Sequence, residues 1–238
     1  MRTDGELTTD TGRNPAPALV WSLVVPLKPL ALAKSRLADA ADEGLRPRLA
    51  LAFAQDTVAA ALTCPAVRDV AVVTDDPAAA AELAALGARI VPDSPGAGLN
   101  AALAHGARAV RAARPSAAVA ALNADLPALR PAELARVLAA ASVFTRAFLT
   151  DAAGIGTTLL CARQGAELRP AFGGPSRLAH LASGAEEIAC DGIDSVRQDV
   201  DTGQDLAAAL ALGVGPYTAA RLGAGAGTAR MRHAVDRP

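Results

Sequence analysis

From Ala18 to Leu122 short apolar runs alternate with helix-periodic stretches, and most runs end in a proline or an acidic turn. Ala18–Pro26, Asp69–Thr74, Ala88–Val91 and Ala117–Leu122 read as strands. Leu45–Leu62, Ala78–Leu86 and the stretch carrying Leu99, Leu103, Ala107 and Val110 read as helices. Runs that are apolar throughout suit strands covered on both faces. The strand–helix–strand alternation of this half argues for a parallel sheet with right-handed crossovers. Further on, Arg146–Thr150 and Gly156–Ala162 read as strands, with short strands at Glu187–Cys190 and Ser195–Gln198. Helices are expected at Ala132–Ala141 behind Pro131, at Ser176–Ser183 and from Gln204 to Leu212. The expected layout is a disordered leader (1–18), one α/β domain (19–215) and a flexible, glycine-rich tail (216–238).

Composition narrows the ligand class. With 23 basic and 24 acidic residues, the net charge of −1 offers no nucleic-acid or membrane surface. An anionic ligand must therefore be held by local cations, a metal ion or backbone amides. No apolar run reaches the roughly 18 to 20 residues of a membrane span. The three cysteines, Cys64, Cys161 and Cys190, are odd in number and lack metal-type spacing, as expected of reduced, cytoplasmic thiols.

The first strand empties into V-V-P-L-K-P-L-A-L-A-K-S-R-L, which releases Lys28, Lys34 and Arg36 within nine residues. Such a stretch can hold a polyphosphate, or be a solvated loop with ordinary surface charges. Lysine supplies point charges and arginine a planar fork. The turn S-P-G-A-G-L-N before the next helix could bring backbone amides to a ligand, with Gly98 and Asn100 as candidate base and ribose contacts. Asp125 ends the fourth strand in N-A-D-L-P, where α/β sheets bind ligands. Asp199 and Asp201 lie in D-V-D-T, on one side of an extended segment. Mg²⁺ takes one or two carboxylates and completes its shell with water and phosphate oxygens, so these aspartates are candidate ligands. Each could instead cap a helix or turn, Asp201 above all, because Asp-Thr stands just ahead of a helix. Thr157 or Thr158, with Gly173, Gly174 and Ser176, could hold a second anion; Ser176 could equally cap its helix. His180 follows Ser176 by four residues on the same helical face, although core packing explains it as well. Neither G-x-x-x-x-G-K-[ST] nor G-x-G-x-x-G after the first strand is present, which argues against a P-loop protein and a dinucleotide oxidoreductase.

Taken in order, P-L-K-P-L-A-L-A-K-S-R-L, N-A-D-L-P, G-T-T-L-L, F-G-G-P-S-R-L-A-H and D-V-D-T-G-Q-D-L resemble the guanylyltransferases of deazaflavin coenzyme F-420 biosynthesis, over roughly residues 19–213. The resemblance implies a Rossmann-like, glycosyltransferase-A type α/β fold with a mixed, mostly parallel sheet flanked by helices. It implies transfer of GMP from GTP to phosphoenolpyruvate or 2-phospho-L-lactate, releasing pyrophosphate, with a downstream F-420 pathway enzyme taking the product. It further implies that Asp125 and Asp199 or Asp201 bind Mg²⁺, and that Thr157 or Thr158, Gly173 and Ser176 contact the acceptor. Lys28, Lys34 and Arg36 would then hold the GTP phosphates. A sugar-phosphate nucleotidyltransferase is disfavoured, because such enzymes usually carry a glycine-rich loop after the first strand. A non-catalytic nucleotide-binding module is the remaining rival.

Overall fold

Along β1 (Trp21–Pro26) the side chains of Trp21, Leu23 and Val25 enter one apolar core, and that of Val24 enters another. This is period-two alternation in a strand buried on both faces. The same sorting holds in β4 (Ala118–Leu122), where Ala118, Ala120 and Leu122 face the first core and Val119 and Ala121 the second. The computed structural model describes residues 19–30, 43–94 and 96–223. With β2 (Val67–Val73), β3 (Arg89–Val91), β5 (Arg146–Thr150), β6 (Thr157–Ala162) and β7 (Glu186–Glu187), the strands form one sheet in the order β3-β2-β1-β4-β6-β5-β7. All neighbours are parallel except β6, which runs against both β4 and β5.

Helices α1 (Leu45–Leu62), α2 (Pro77–Ala85), α4 (Pro131–Ala141) and α6 (Asp194–Arg197) contribute to the first core. Helix α3 (Leu99–Ala113) covers the opposite face through Leu103, Ala107 and Val110. A third cluster joins Leu49 and Phe53 of α1 to Val200 and to Leu206 and Ala209 of α7 (Gly203–Leu212). Because α1 packs on the sheet and under α7, it is buried nearly all round. The remaining helix, α5 (Ser176–Ala182), packs beside β7. Among the described residues no helix is long and apolar enough to cross a membrane.

The elements differ from expectation in three places. The strand expected at Glu187–Cys190 is only the two-residue β7, Glu186–Glu187: the Ile188 N–H still donates to the Phe148 carbonyl, and residues 188–190 then leave the sheet. Residues 195–198 form a helical turn, α6, rather than a strand. Val196 reaches the first core from that turn, and the Gln198 N–H donates to the Asp194 carbonyl. Residues 216–223, assigned above to the tail, are helical. The buried Asp56 of α1 accepts the N–H groups of Tyr217 at 3.0 Å and Thr218 at 2.8 Å, and so caps that helix. The leader (1–18) and the remaining tail (224–238) lie outside the described residues.

Gly106 lets α3 approach the sheet. A Cβ there would stand 2.5 Å from Val24 Cγ1 and 2.6 Å from Val73 Cγ2. Both valines are buried and stiff at χ1, so neither can swing aside. Gly106→Ala is expected to incur an overpacking cost of up to about 3 kcal/mol, against about 1 kcal/mol gained in helix propensity. A net loss of roughly 2 kcal/mol in urea denaturation is the expected result.

Candidate active site

The strand order reverses at β1: the chain goes outward through β2 and β3, then returns to place β4 on the other side. Ligands of open α/β sheets bind outside the carboxyl ends of the strands at such a switch point. Lys28 leaves the end of β1 and Asp125 the end of β4, two strands paired directly. The Leu27 N–H donates to Val73, and the Leu30 N–H donates to Asp76 Oδ2 at 2.9 Å. Asp76 also caps α2 through Ala78 and Ala79. These backbone hydrogen bonds, that of Ala79 foremost, hold its carboxyl below the usual range and keep it charged where it fastens the cationic stretch. Lys28 is exposed there; Lys34 and Arg36 lie outside the described residues.

Buried Thr57 of α1 pins the turn after β4. Its hydroxyl lies 2.8 Å from the Phe53 carbonyl and 3.1 Å from that of Ala124, and accepts the Leu126 N–H at 3.0 Å. Asp125 stands between those two anchored residues. Its own carbonyl accepts the Val200 N–H at 3.1 Å, which joins N-A-D-L-P directly to D-V-D-T. Val200 is buried against α1, whereas Asp199 is half-buried and Asp201 exposed, as expected of residues on the other side of an extended segment. The cap of α7 is Thr202, in a reciprocal box with Asp205, so Asp201 stands one residue ahead of the cap.

Two further groups hold this segment. Glu133 Oε2 accepts the Ser195 N–H at 2.9 Å and the Ser195 hydroxyl at 2.7 Å, while Arg130 donates to Oε1. Burial would raise the Glu133 pKa, but the Ser195 bonds and Arg130 bring it below the usual range. Arg197 donates from Nη2 to the Asp151 carbonyl at 2.8 Å, tying the same segment to the end of β5.

Because β6 is antiparallel, it starts at this edge and places Thr157 and Thr158 beside the end of β4; the Asn123 N–H donates to the Thr158 carbonyl. A register shift at Leu149/Thr150 pairs Thr157 with Thr150, although Leu159 pairs with Leu149. Thr157 thereby shares a face with Phe148 and meets α5. Its Oγ1 lies 3.1 Å from Ser176 Oγ and 3.0 Å from His180 Nδ1. Thr158 is buried, and among the described residues its hydroxyl has no partner. Next to this pair, Glu187 accepts from Thr150 and from both Nε and Nη2 of Arg177. Gly173, exposed at φ +104°, turns the chain into α5 through a conformation that a side chain would strain. Asn100 lies further along the edge, but its carboxamide exchanges two hydrogen bonds with the Phe172 backbone, at 2.9 and 2.8 Å. Its side chain therefore braces the 171–174 turn against α3. Gly98, at φ +92°, is the exposed N-cap of α3.

Comparison with known proteins decides the family. Residues 35–209 match the MobA-like NTP transferase domain. The phosphoenolpyruvate guanylyltransferase of Streptomyces coelicolor is 76% identical over 200 residues, which cover 84% of this chain and 94% of that one. The chain belongs to the phosphoenolpyruvate guanylyltransferase family, within the MobA-like NTP transferases. The Streptomyces avermitilis member is 74% identical over 200 residues, covering 84% of this chain and 93% of its own. Among solved structures, a Methanothermobacter nucleotidyl transferase superposes with a TM-score of 0.59 at 26% identity, covering 81% of this chain and 97% of that one. The fold is the expected glycosyltransferase-A type, with a mixed, mostly parallel sheet between helices.

In this member of the phosphoenolpyruvate guanylyltransferase family, no three His, Cys, Asp or Glu side chains converge as a self-sufficient metal cage among the described residues. Asp125, Asp199 and Asp201 are adjacent through the Val200–Asp125 bond but do not form such a cage. Their carboxylates are hard oxygen donors, the chemistry that Mg²⁺ takes one or two at a time before water and substrate oxygens complete its shell.

The sequence reading gave His180 no firm role. Burial, then the Arg146 guanidinium, push its pKa down to about 4 from 6.5. The depressed value means that its contribution to stability is complete above pH 6.5 and is lost as pH falls toward 4. Going from about pH 7.5 to about pH 5 is expected to remove about 2 kcal/mol of unfolding free energy through this group. His180→Asn, compared with the parent by urea denaturation at the two pH values, should lack that loss. Glu133, Ser195, Arg197 and Thr57 were also missed, since a side chain that holds a loop from a distant element carries no local motif.

Proposed function

We propose that the protein transfers GMP from GTP to phosphoenolpyruvate, giving enolpyruvoyl-2-diphospho-5'-guanosine and pyrophosphate. The observation that carries this reading is the bond from Val200 to Asp125 at the β1/β4 switch point. It sets the aspartates of both motifs beside the exit of the cationic stretch. The identity to phosphoenolpyruvate guanylyltransferases supports the choice of acceptor and nucleotide. An acceptor phosphate oxygen attacks the α-phosphorus of GTP, and the bond from that phosphorus to the α–β bridging oxygen breaks. The acceptor phosphate is already anionic at neutral pH, so no proton has to be removed. The Nε2 and Nδ1 atoms of His180 are both engaged within the protein, in line with a reaction that needs no general base.

The barrier in such a reaction is repulsion between two anions, and positioning with charge neutralisation lowers it. Lys28, Lys34 and Arg36 hold the triphosphate and stabilise the leaving pyrophosphate. Asp125 and one of Asp199 and Asp201 would hold Mg²⁺, which when bound neutralises charge on the reacting phosphates. Thr157, Ser176 and Gly173 contact the acceptor, with Thr157 favoured over Thr158 because it faces Ser176. Gly98 lies where the nucleoside would pass the N-terminus of α3, and Asn100 positions the 171–174 turn. The product is a reactive diphosphodiester, for which a downstream F-420 pathway enzyme in the cytoplasm is the fitting consumer.

Pyrophosphate release with GTP or ATP, against phosphoenolpyruvate, 2-phospho-L-lactate and a sugar 1-phosphate, tests this reading. Release with GTP and phosphoenolpyruvate is expected to exceed every other pair. Preference for 2-phospho-L-lactate would reassign the acceptor, and release only with the sugar phosphate would overturn the assignment.

A further inference from the structure

His180 is fully buried between the rings of Phe148 and Phe172, with centroids 5.6 and 5.2 Å away. Its Nε2 lies 3.0 Å from the Ala171 backbone nitrogen. A backbone N–H can only donate, so Nε2 accepts and the ring hydrogen sits on Nδ1. Nδ1–H then donates to Thr157 Oγ1, 3.0 Å away. Thr157 and Ser176, 3.1 Å apart, share one hydroxyl hydrogen between them. Two hydroxyls carry two hydrogens, and the chain supplies no further acceptor to either among the described residues. One hydroxyl hydrogen is therefore left over.

We propose that His180 is a positioning residue for the acceptor. By donating into the buried Thr157–Ser176 pair, it leaves the pair one spare hydroxyl hydrogen to donate to a phosphate or carboxylate oxygen of a small phosphorylated acid. A reversed ring would accept from Thr157, consuming a hydroxyl hydrogen, and the pair would have none to spare. The Ala171 N–H prevents that reversal. Arg146 guards the arrangement from the far side, where it donates to the carbonyls of Ser183 and Leu168 at 2.9 and 3.0 Å and opposes a second positive charge on the ring. This inference rests on the reading of Thr157 and Ser176 as acceptor contacts.

Two isosteres separate the two ring atoms. The amide nitrogen of asparagine falls near Nδ1 and can still donate to Thr157. The amide oxygen of glutamine falls near Nε2 and can satisfy Ala171, but the donor to Thr157 is lost. His180→Gln is expected to raise KM for phosphoenolpyruvate about tenfold, the scale of one hydrogen bond to a charged group. KM for GTP should stay within about twofold. His180→Asn should stay within about threefold of the parent for both substrates. Either variant alone suffices if the other does not fold. Equal losses in both variants, an unchanged phosphoenolpyruvate KM in His180→Gln, or a parallel rise in both KM values would overturn the proposal. Thr157→Val run beside them separates the two layers. No effect of Thr157→Val on phosphoenolpyruvate KM removes the acceptor reading itself. An effect there without one in His180→Gln removes only the role of the histidine.

Discussion

Replacing Asp125 by asparagine is expected to lower guanylyl transfer by about 10²–10³-fold while GTP still binds. The substitution keeps side-chain volume and removes charge. The backbone anchors of the turn do not involve the carboxylate: Thr57 holds residues 124 and 126, and Val200 donates to the Asp125 carbonyl. The fold should therefore persist, with a melting temperature within a few degrees of the parent. On the proposed reading, what is lost is a hard oxygen ligand at the point where charge builds between two phosphates. Turnover within tenfold of the parent would show that this carboxylate has no part in the chemistry. GTP binding, followed by calorimetry, distinguishes a chemical role from loss of the nucleotide site. A non-catalytic nucleotide-binding module would not turn over in the first place.

Replacing Glu133 by alanine is expected to act on stability and catalysis together. Glu133 is buried and satisfies both the N–H and the hydroxyl of fully buried Ser195, and Arg130 faces it as well. Removing the carboxylate strands those donors, at a cost of about 2–4 kcal/mol. The Ser195 hydroxyl also donates to Glu133 while accepting the Arg130 N–H at 3.0 Å, so the break spreads to the start of α4. Ser195 lies in α6, which leads directly into Asp199–Asp201, so turnover should fall even where the variant is folded. The folded pKa of Glu133 lies below its unfolded value. Its contribution is therefore complete above the ordinary carboxylate range and is lost as pH falls through the folded value. Urea denaturation at neutral and acid pH should show the variant and the parent converging at the acid end. A parallel offset at both pH values would contradict the assigned clamp.

The half of the fold from β1 to β4 was legible because its strands are short apolar runs cut by Pro77, Gly87 and Pro92 and separated by helix-length segments. The direction of β6 was not read, although a signal existed. Only residues 151–156 connect β5 to β6, too few for a parallel crossover, so the pair had to be antiparallel. Residues 195–198 were misread because four residues with two apolar or small side chains fit a strand and a helical turn equally well. In the candidate site, the motifs pointed to one sheet edge, and the strand order accounts for their meeting there. The choice between Thr157 and Thr158 depended on the register shift against Thr150, which no local pattern encodes. Asn100 was expected beside the nucleotide, yet its carboxamide serves Phe172, a partner 72 positions away. His180 carried one clue, its spacing of four from Ser176, but its tautomer is set by the Ala171 N–H and follows only from the folded chain.

The central claim is that a phosphoanhydride forms between the acceptor phosphate and the α-phosphate of GTP at the β1/β4 edge. Phosphorus NMR of the protein with GTP, phosphoenolpyruvate and Mg²⁺, followed in one tube so that an unstable product is caught, tests it directly. The account predicts that the phosphoenolpyruvate monoester signal falls as a new diphosphodiester pair and pyrophosphate rise in step, and that none of this occurs with Asp125→Asn. Decay of GTP with the monoester signal unchanged would contradict it.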